Sequence, residues 1–202
     1  MENLTYVTGN YGKYISIKEQ FERNDIYINY YNIDIKEPNV NDISIISREK
    51  VRCAFDMINK PVFVVDSGFY IENYPDSPGF PGAFVKRSGV SSNIDDLLKT
   101  MKYVENRDCY FMDCLTFYDG EELHQFYGVS KGTLSTKKRG NKLKKAKSDL
   151  WYVFIPYNCT KTLAEMNDFE RLTREDERTS AAEAFIEWYK SNKRDIKRKI
   201  KS

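Results

Sequence analysis

Residues 61–68 read PVFVVDSG. The first five are proline or apolar. β-branched and aromatic side chains in such a run fill both faces of a buried strand. The run then meets a carboxylate, a hydroxyl and a glycine at Asp66, Ser67 and Gly68. One reading is a strand leaving the core into a turn, since Asp, Ser and Gly are turn residues. The other is a strand that aims an acid at a site, and the surrounding sequence has to decide between them.

Upstream, LTYVTGNYGKYISIKEQFER (4–23) reads as a short strand, a glycine turn and a helix, and IYINYYNIDI (26–35) as a strand. Residues 43–59 place Ile43, Ile46, Val51, Ala54, Phe55 and Ile58 near helical spacing. Downstream, NYPDSPGFPGAF (73–84), with Pro75, Pro78 and Pro81, is a loop, and 93–104 is a helix. CYFMDCLTFYDGEELHQFYGVSKGTL (109–134) reads as two strands about an Asp119-Gly120 turn, with a third starting after Gly132. WYVFIP (151–156) is a further strand, and about 179–200 a helix. Strands alternating with helices around an antiparallel meander predict a mixed α/β fold. Any boundary between lobes is expected near 75–90.

Composition bounds the function classes. The chain has 202 residues, 41% hydrophobic and 31% charged, enough for one good core, and is read as a single domain over 1–202 with a basic tail from about 190. Its net charge of +2 favours no partner class. One histidine and the scattered Cys53, Cys109, Cys114 and Cys159 lack the short ligand spacing of a zinc site. No basic and apolar leader opens the chain, and no apolar run approaches the roughly 20 residues of a membrane span. A cytoplasmic chain with free thiols and no membrane partner is the expectation.

The turn VTGNYGK (7–13) delivers Thr8, Gly9, Asn10 and Gly12 to a helix start, followed by Lys13. Glycines allow close backbone approach, a helix start offers free N–H groups, and Lys13 adds a full charge, which is the physics of a phosphate cradle. It is neither a Walker loop nor GxGxxG.

Taken in order, VTGNYGK, Glu37, Lys50, PVFVVDSG, GFPGAFVKR (79–87), FYGVSKGTL (126–134) and FIPYNCTKTLAEM (154–166) resemble the inosine triphosphate pyrophosphatase family over roughly 4–190. The resemblance implies an elongated mixed α/β domain with a long twisted sheet, two lobes and a nucleotide cleft. It implies hydrolysis of a nucleoside triphosphate to monophosphate and pyrophosphate with Mg²⁺, a preference for inosine and xanthosine nucleotides, and usually a homodimer. By the same carry-over Thr8, Asn10, Lys13, Lys50, Ser67, Gly68 and Lys86 bind phosphate. Glu37 and Asp66 hold metal, and Asp66, with Lys13 beside the phosphates, carries the catalysis by activating water. Trp151 and Ser180 fall on the base side. Asp66 is therefore read as a site residue rather than a strand-end turn.

Three departures from the family pattern stand out. Val65 replaces an acid that the family usually carries beside Asp66, which leaves the metal site weaker or simply improves the strand core. After Ser180, Ala181 and Ala182 stand where the family has the His and Arg that help read an oxo-purine base, with Arg174 or Arg178 as candidate substitutes. In KSDLWYVFIP (147–156) the family's base-contacting acid is missing, so Trp151 is either its replacement or the stacking aromatic, unless Asp149 reaches in; a core tryptophan competes. Two readings follow: an active pyrophosphatase with altered base preference, or a nucleotide sensor with little turnover that reports to a heteromeric effector partner, as in antiviral defence. The basic runs 137–147 and 190–201 make nucleic-acid binding a third, less favoured class, against solvated faces or substrate attraction. His124 is read as structural or surface, and Cys109 and Cys114, five apart on one strand, as facing opposite sides.

Overall fold

A computed structural model describes residues 4–141, 148–174 and 178–201, with 193–201 described by backbone alone. Most of the basic run 137–147 and the side chains of the basic tail therefore lie outside the described residues. The elements are β1 (Leu4–Val7), α1 (Tyr11–Glu22), β2 (Ile28–Tyr31), α2 (Ile43–Ile58), β3 (Val62–Ile71), β4 (Pro81–Gly82), α3 (Ile94–Thr100), β5 (Asp108–Tyr118), β6 (Leu123–Leu134), β7 (Phe154–Pro156), α4 (Asp168–Thr173) and α5 (Ala181–Lys201), with a 3-10 turn at Asp149–Tyr152 before β7. The strands run in the order β2-β1-β3-β5-β6-β7, and β4 pairs with β3. The fold is mixed α/β, as the sequence predicts.

The chain divides into two compact units. The first holds Met1–Asp66, Asp113–Gly128 and Ser180–Ser202, the second Ser67–Met112 and Val129–Thr179. The divisions thus fall within the long strands and before α5, while the proline loop near 75–90 lies wholly inside the second unit.

In the first unit β1 runs parallel to β2 and to β3, with Tyr6 opposite both Tyr30 and Phe63. Alternation along β3 feeds two cores. Phe63 and Val65 join Tyr6, Phe21, Phe117 and Phe185 in one, while Val62 and Val64 join Val7, Ile35, Val51 and Ala54 in the other. In the first, the Phe63 ring stacks on Tyr6 at 4.7 Å, on Phe21 at 5.3 Å and on Phe185 at 5.6 Å. α1 and α5 supply Phe21 and Phe185, and α2 covers the second core. Asp42 caps α2 by accepting from the N–H groups of Ser44 at 2.8 Å and Ile45 at 3.1 Å. Asn59, left-handed at φ 53°, ends it.

The second unit has its own core, in which Phe69, Ile71, Leu97, Met101, Leu134 and Phe154 are buried. Three strand expectations change here. β3 does not stop at Asp66 but continues through Ser67 and Gly68 to Ile71, because Phe69 and Ile71 enter this core and β4 pairs with Phe69 and Tyr70. β6 runs unbroken through Gly132, so no third strand begins there: a Cβ at 132 would lie 2.3 Å from the Ile155 carbonyl oxygen, and glycine is what lets β7 pair this closely. Trp151 and Tyr152 lie in the 3-10 turn, capped by Ser148, rather than in a strand. β2 is also shorter than the 26–35 run, and α4, with an Asn167–Glu170 capping box, went unread in the charged stretch after Met166.

Phe185→Ala removes one of the aromatics that α5 adds to the first core, the one that stacks on Phe21 and Phe63. It is expected to lower the unfolding free energy by about 3–5 kcal/mol, measured by urea denaturation.

Candidate active site

The turn between β1 and α1 is shaped by its own side chains. Thr8 Oγ1 accepts from the Asn10 N–H at 3.1 Å. Asn10 is the helix cap, and its Oδ1 accepts from the Lys13 N–H at 3.0 Å. Lys13 Nζ donates to the Val65 carbonyl at 3.1 Å, which brings a positive charge back against β3 one residue before Asp66. A capped helix start, a threonine hydroxyl and an ammonium group so converge on the end of β1.

On α2, Lys50 points at the same stretch of β3. Its ammonium donates to Asp66 Oδ1 at 2.6 Å and to Glu37 Oε1 at 3.1 Å. Asp66 is 4% exposed. A buried carboxylate needs a counter-charge, and Lys50 supplies it. Burial alone would lower the lysine, but Asp66 and then Glu37 outweigh it and hold the ammonium above the ordinary lysine range. α2 is held in register by a polar seam the sequence did not announce. Thr116 donates to Ser47 at 2.7 Å, and Gln125 Nε2 donates to Thr116 at 3.1 Å and to the Ser44 carbonyl at 3.0 Å.

Asp66 Oδ2 is buried and has no hydrogen-bond partner among the described residues. An uncommitted hard oxygen beside Glu37 fits a divalent cation of the Mg²⁺ type, which commonly takes one or two carboxylates and fills its other positions with water and phosphate oxygens. Among the described residues no group of three or more His, Cys, Asp and Glu is placed to hold a metal ion. Val65 adds nothing to the Asp66 and Glu37 pair, because its side chain packs in the first core.

The other sequence-read residues are placed as follows. Ser67 and Gly68 follow Asp66 on β3 as the first residues of the second unit. A Cβ at 68 would lie 2.7 Å from the Tyr70 ring and 3.0 Å from the Gly82 carbonyl oxygen, so glycine there has a packing reason of its own. Lys86 is exposed in the turn after β4, also in the second unit. Trp151 is half-buried against the second unit's core, with the Arg171 guanidinium 5.5 Å over its ring. Ser180, in the first unit, accepts from the Glu183 N–H at 3.2 Å and so caps α5. Ala181 and Ala182 are buried in the first core. Arg174 and Arg178 spend donors on backbone carbonyls around α4, those of Arg171, Leu172 and Arg174. His124 lies against Trp188, ring centroids 4.4 Å apart, and the four cysteines are free.

Lys50→Met leaves two carboxylates without their cation and is expected to cost about 3–5 kcal/mol at pH 7. A raised folded-state value contributes stability in full below the unfolded lysine range and loses it as the pH rises through the folded value. The gap between parent and variant should therefore close only above the ordinary lysine range. Denaturation across alkaline pH checks this, and a constant gap would assign the loss to packing.

The sequence model of the Ham1 family matches residues 4–188. The dITP/XTP pyrophosphatase of Saccharolobus solfataricus is 30% identical over 189 residues, covering 92% of each chain. That of Methanopyrus kandleri is 29% identical over 192 residues, covering 94% of this chain and 97% of the other. In fold, the chain is similar to a HAM1 protein from Coxiella burnetii, with a TM-score of 0.77 at 18% identity over 95% of this chain and all of the other. The resemblance read from the motifs holds over nearly the whole length, and the chain belongs to the Ham1 family.

Proposed function

We propose that this chain binds a nucleoside or deoxynucleoside triphosphate carrying a non-standard purine, of the dITP, ITP or XTP kind, and hydrolyses it to monophosphate and pyrophosphate. The observation that carries the reading is the uncommitted, buried Oδ2 of Asp66, held beside Lys50 and one residue beyond the carbonyl that Lys13 grips. The names of the relatives support the substrate class.

In this reading Asn10 and the α1 start orient the phosphates, and Thr8 donates its hydroxyl to one of their oxygens. Lys13 and Lys50 balance charge on the triphosphate. Asp66 accepts the proton of the attacking water as its oxygen bonds to the α-phosphorus and the bond to the β-phosphate bridge breaks. Bound Mg²⁺, held by Asp66 and Glu37, would neutralise developing charge on the phosphates.

One observation favours a second reading, retention without turnover by a nucleotide sensor that reports to a partner effector. Glu37 and Asp66 both bond to Lys50, and the neighbouring side chain on β3, Val65, packs in the core and offers the site no further ligand.

The test incubates the pure chain with dITP, ITP, XTP and the ordinary triphosphates, with Mg²⁺ or Mn²⁺. Products are separated by anion exchange, and binding is measured by calorimetry on the same panel. Monophosphate with pyrophosphate is the expected outcome. Asp66→Asn should cut turnover by about 10²-fold or more while affinity changes little. Tight binding with triphosphate recovered intact would establish the sensor reading, and no binding across the panel would overturn both.

A further inference from the structure

Tyr6 is fully buried, and its ring stacks on Phe63 nearly parallel, at 4°. A phenylalanine would fill that place equally well, so the hydroxyl needs its own explanation. Two buried side-chain polar atoms among the described residues have no hydrogen-bond partner: Tyr6 Oη and Asp66 Oδ2, both in the first unit. Folded chains rarely leave a buried donor unmet, and those they do leave tend to have a functional reason. Tyr6 stands on β1, two residues before Thr8, which opens the turn after the strand. Thr8 is the side chain that bears most directly on the phenol, and the charge of Asp66 reaches it too. Hydrogen-bond geometry between Tyr6 and Thr8 is nevertheless not met, and Oη stays unpartnered.

Thr8 Oγ1 has two acceptor lone pairs and one proton. The Asn10 N–H takes one lone pair at 3.1 Å. We propose that Tyr6 is a positioning residue: when a polyphosphate binds, its O–H donates to the second lone pair of Thr8 Oγ1, which turns the Thr8 proton outward onto a phosphoryl oxygen. With both lone pairs taken, the threonine hydroxyl can act only as a donor, the role an anionic ligand requires. Burial, above all, raises the Tyr6 pKa, so the phenol keeps its proton at any working pH. The inference rests on the phosphate-binding reading of Thr8.

The test is a double-mutant cycle of Tyr6→Phe and Thr8→Ala. It is read by calorimetry with dITP and with inorganic tripolyphosphate, and by thermal unfolding without ligand. Tyr6→Phe should weaken both ligands about tenfold, the size of one good hydrogen bond. Its ligand-free melting temperature should hold or rise, because an unmet donor has been removed. In the Thr8→Ala background, Tyr6→Phe should have no further effect. Unchanged affinity in Tyr6→Phe overturns the inference alone, as does an equal loss in both backgrounds. A loss that follows a drop in ligand-free stability, or failure to fold, overturns it in favour of a structural hydroxyl. Absence of binding by the unaltered chain overturns the triphosphate reading, and this inference with it.

Discussion

A carboxylate buried in the middle of a strand constrains everything near it. Asp66 is almost wholly removed from water, on the face of β3 that Val62 and Val64 use to pack a core. Left unpaired it would cost several kcal/mol or lose its charge. Lys50 prevents this, but only if α2 lies along the sheet in one register, and the local structure serves that requirement. Asp42 sets where the helix begins, Asn59 where it ends, and the Ser47–Thr116–Gln125 seam ties it to β5 and β6. Such a pair is weak as a source of net stability and strong as a device for selecting one arrangement, because any slip of the helix strands two acids and an amine.

The neighbouring residue shows the opposite use of the same strand. Val65 points to the other face and packs among aromatics, so consecutive positions on β3 serve a core and a polar cluster. An acid at 65 would have to enter an aromatic cluster. The two carboxylates on Lys50 come from a strand and a loop, Asp66 and Glu37, and this single lysine holds both. Charge at the site is nearly balanced before any ligand arrives: two acids face Lys50, and Lys13 is added from the helix start. On the proposed reading, a triphosphate therefore has to compete with Asp66 and Glu37 for Lys50, and with the Val65 carbonyl for Lys13.

Most of this architecture was legible in local patterns. The helical spacing of Ile43 to Ile58, the β-branched run at 61–65 and the cap-like Asn10 before Lys13 each depend on neighbours within a few residues, and each element formed close to where it was read. The failures were non-local. Ser67-Gly68 looks like a stop, yet the strand continues because β4 and the ring of Tyr70 cover the glycine. Gly132 looks like a break, yet it is where β7 comes closest. Tyr6 carried no signal, because nothing in a sequence tells which buried hydroxyl will lack a partner. Of the candidate site, Thr8, Asn10, Lys13, Glu37, Lys50 and Asp66 share the first unit, whereas Ser67, Gly68, Lys86 and Trp151 belong to the second. The seam behind Lys50 carried no motif at all.

On the proposed reading, the start of α5 limits how a purine end can be built. Ser180 looked like the survivor of a base-reading triplet, but its hydroxyl oxygen accepts the Glu183 N–H, the work of a helix cap. Ala181 and Ala182 are each 4% exposed and sit in the core that Phe21, Phe63 and Phe185 build. Longer polar side chains there would overpack an aromatic cluster or bury unmet donors. The loss of the two polar residues is thus one consequence of how closely α5 docks, not a separate change at a site. On the proposed reading, base preference would then be set by side chains outside that pair. On that reading the candidate is Trp151, half-buried against the second unit's core, with the Arg171 guanidinium over its ring.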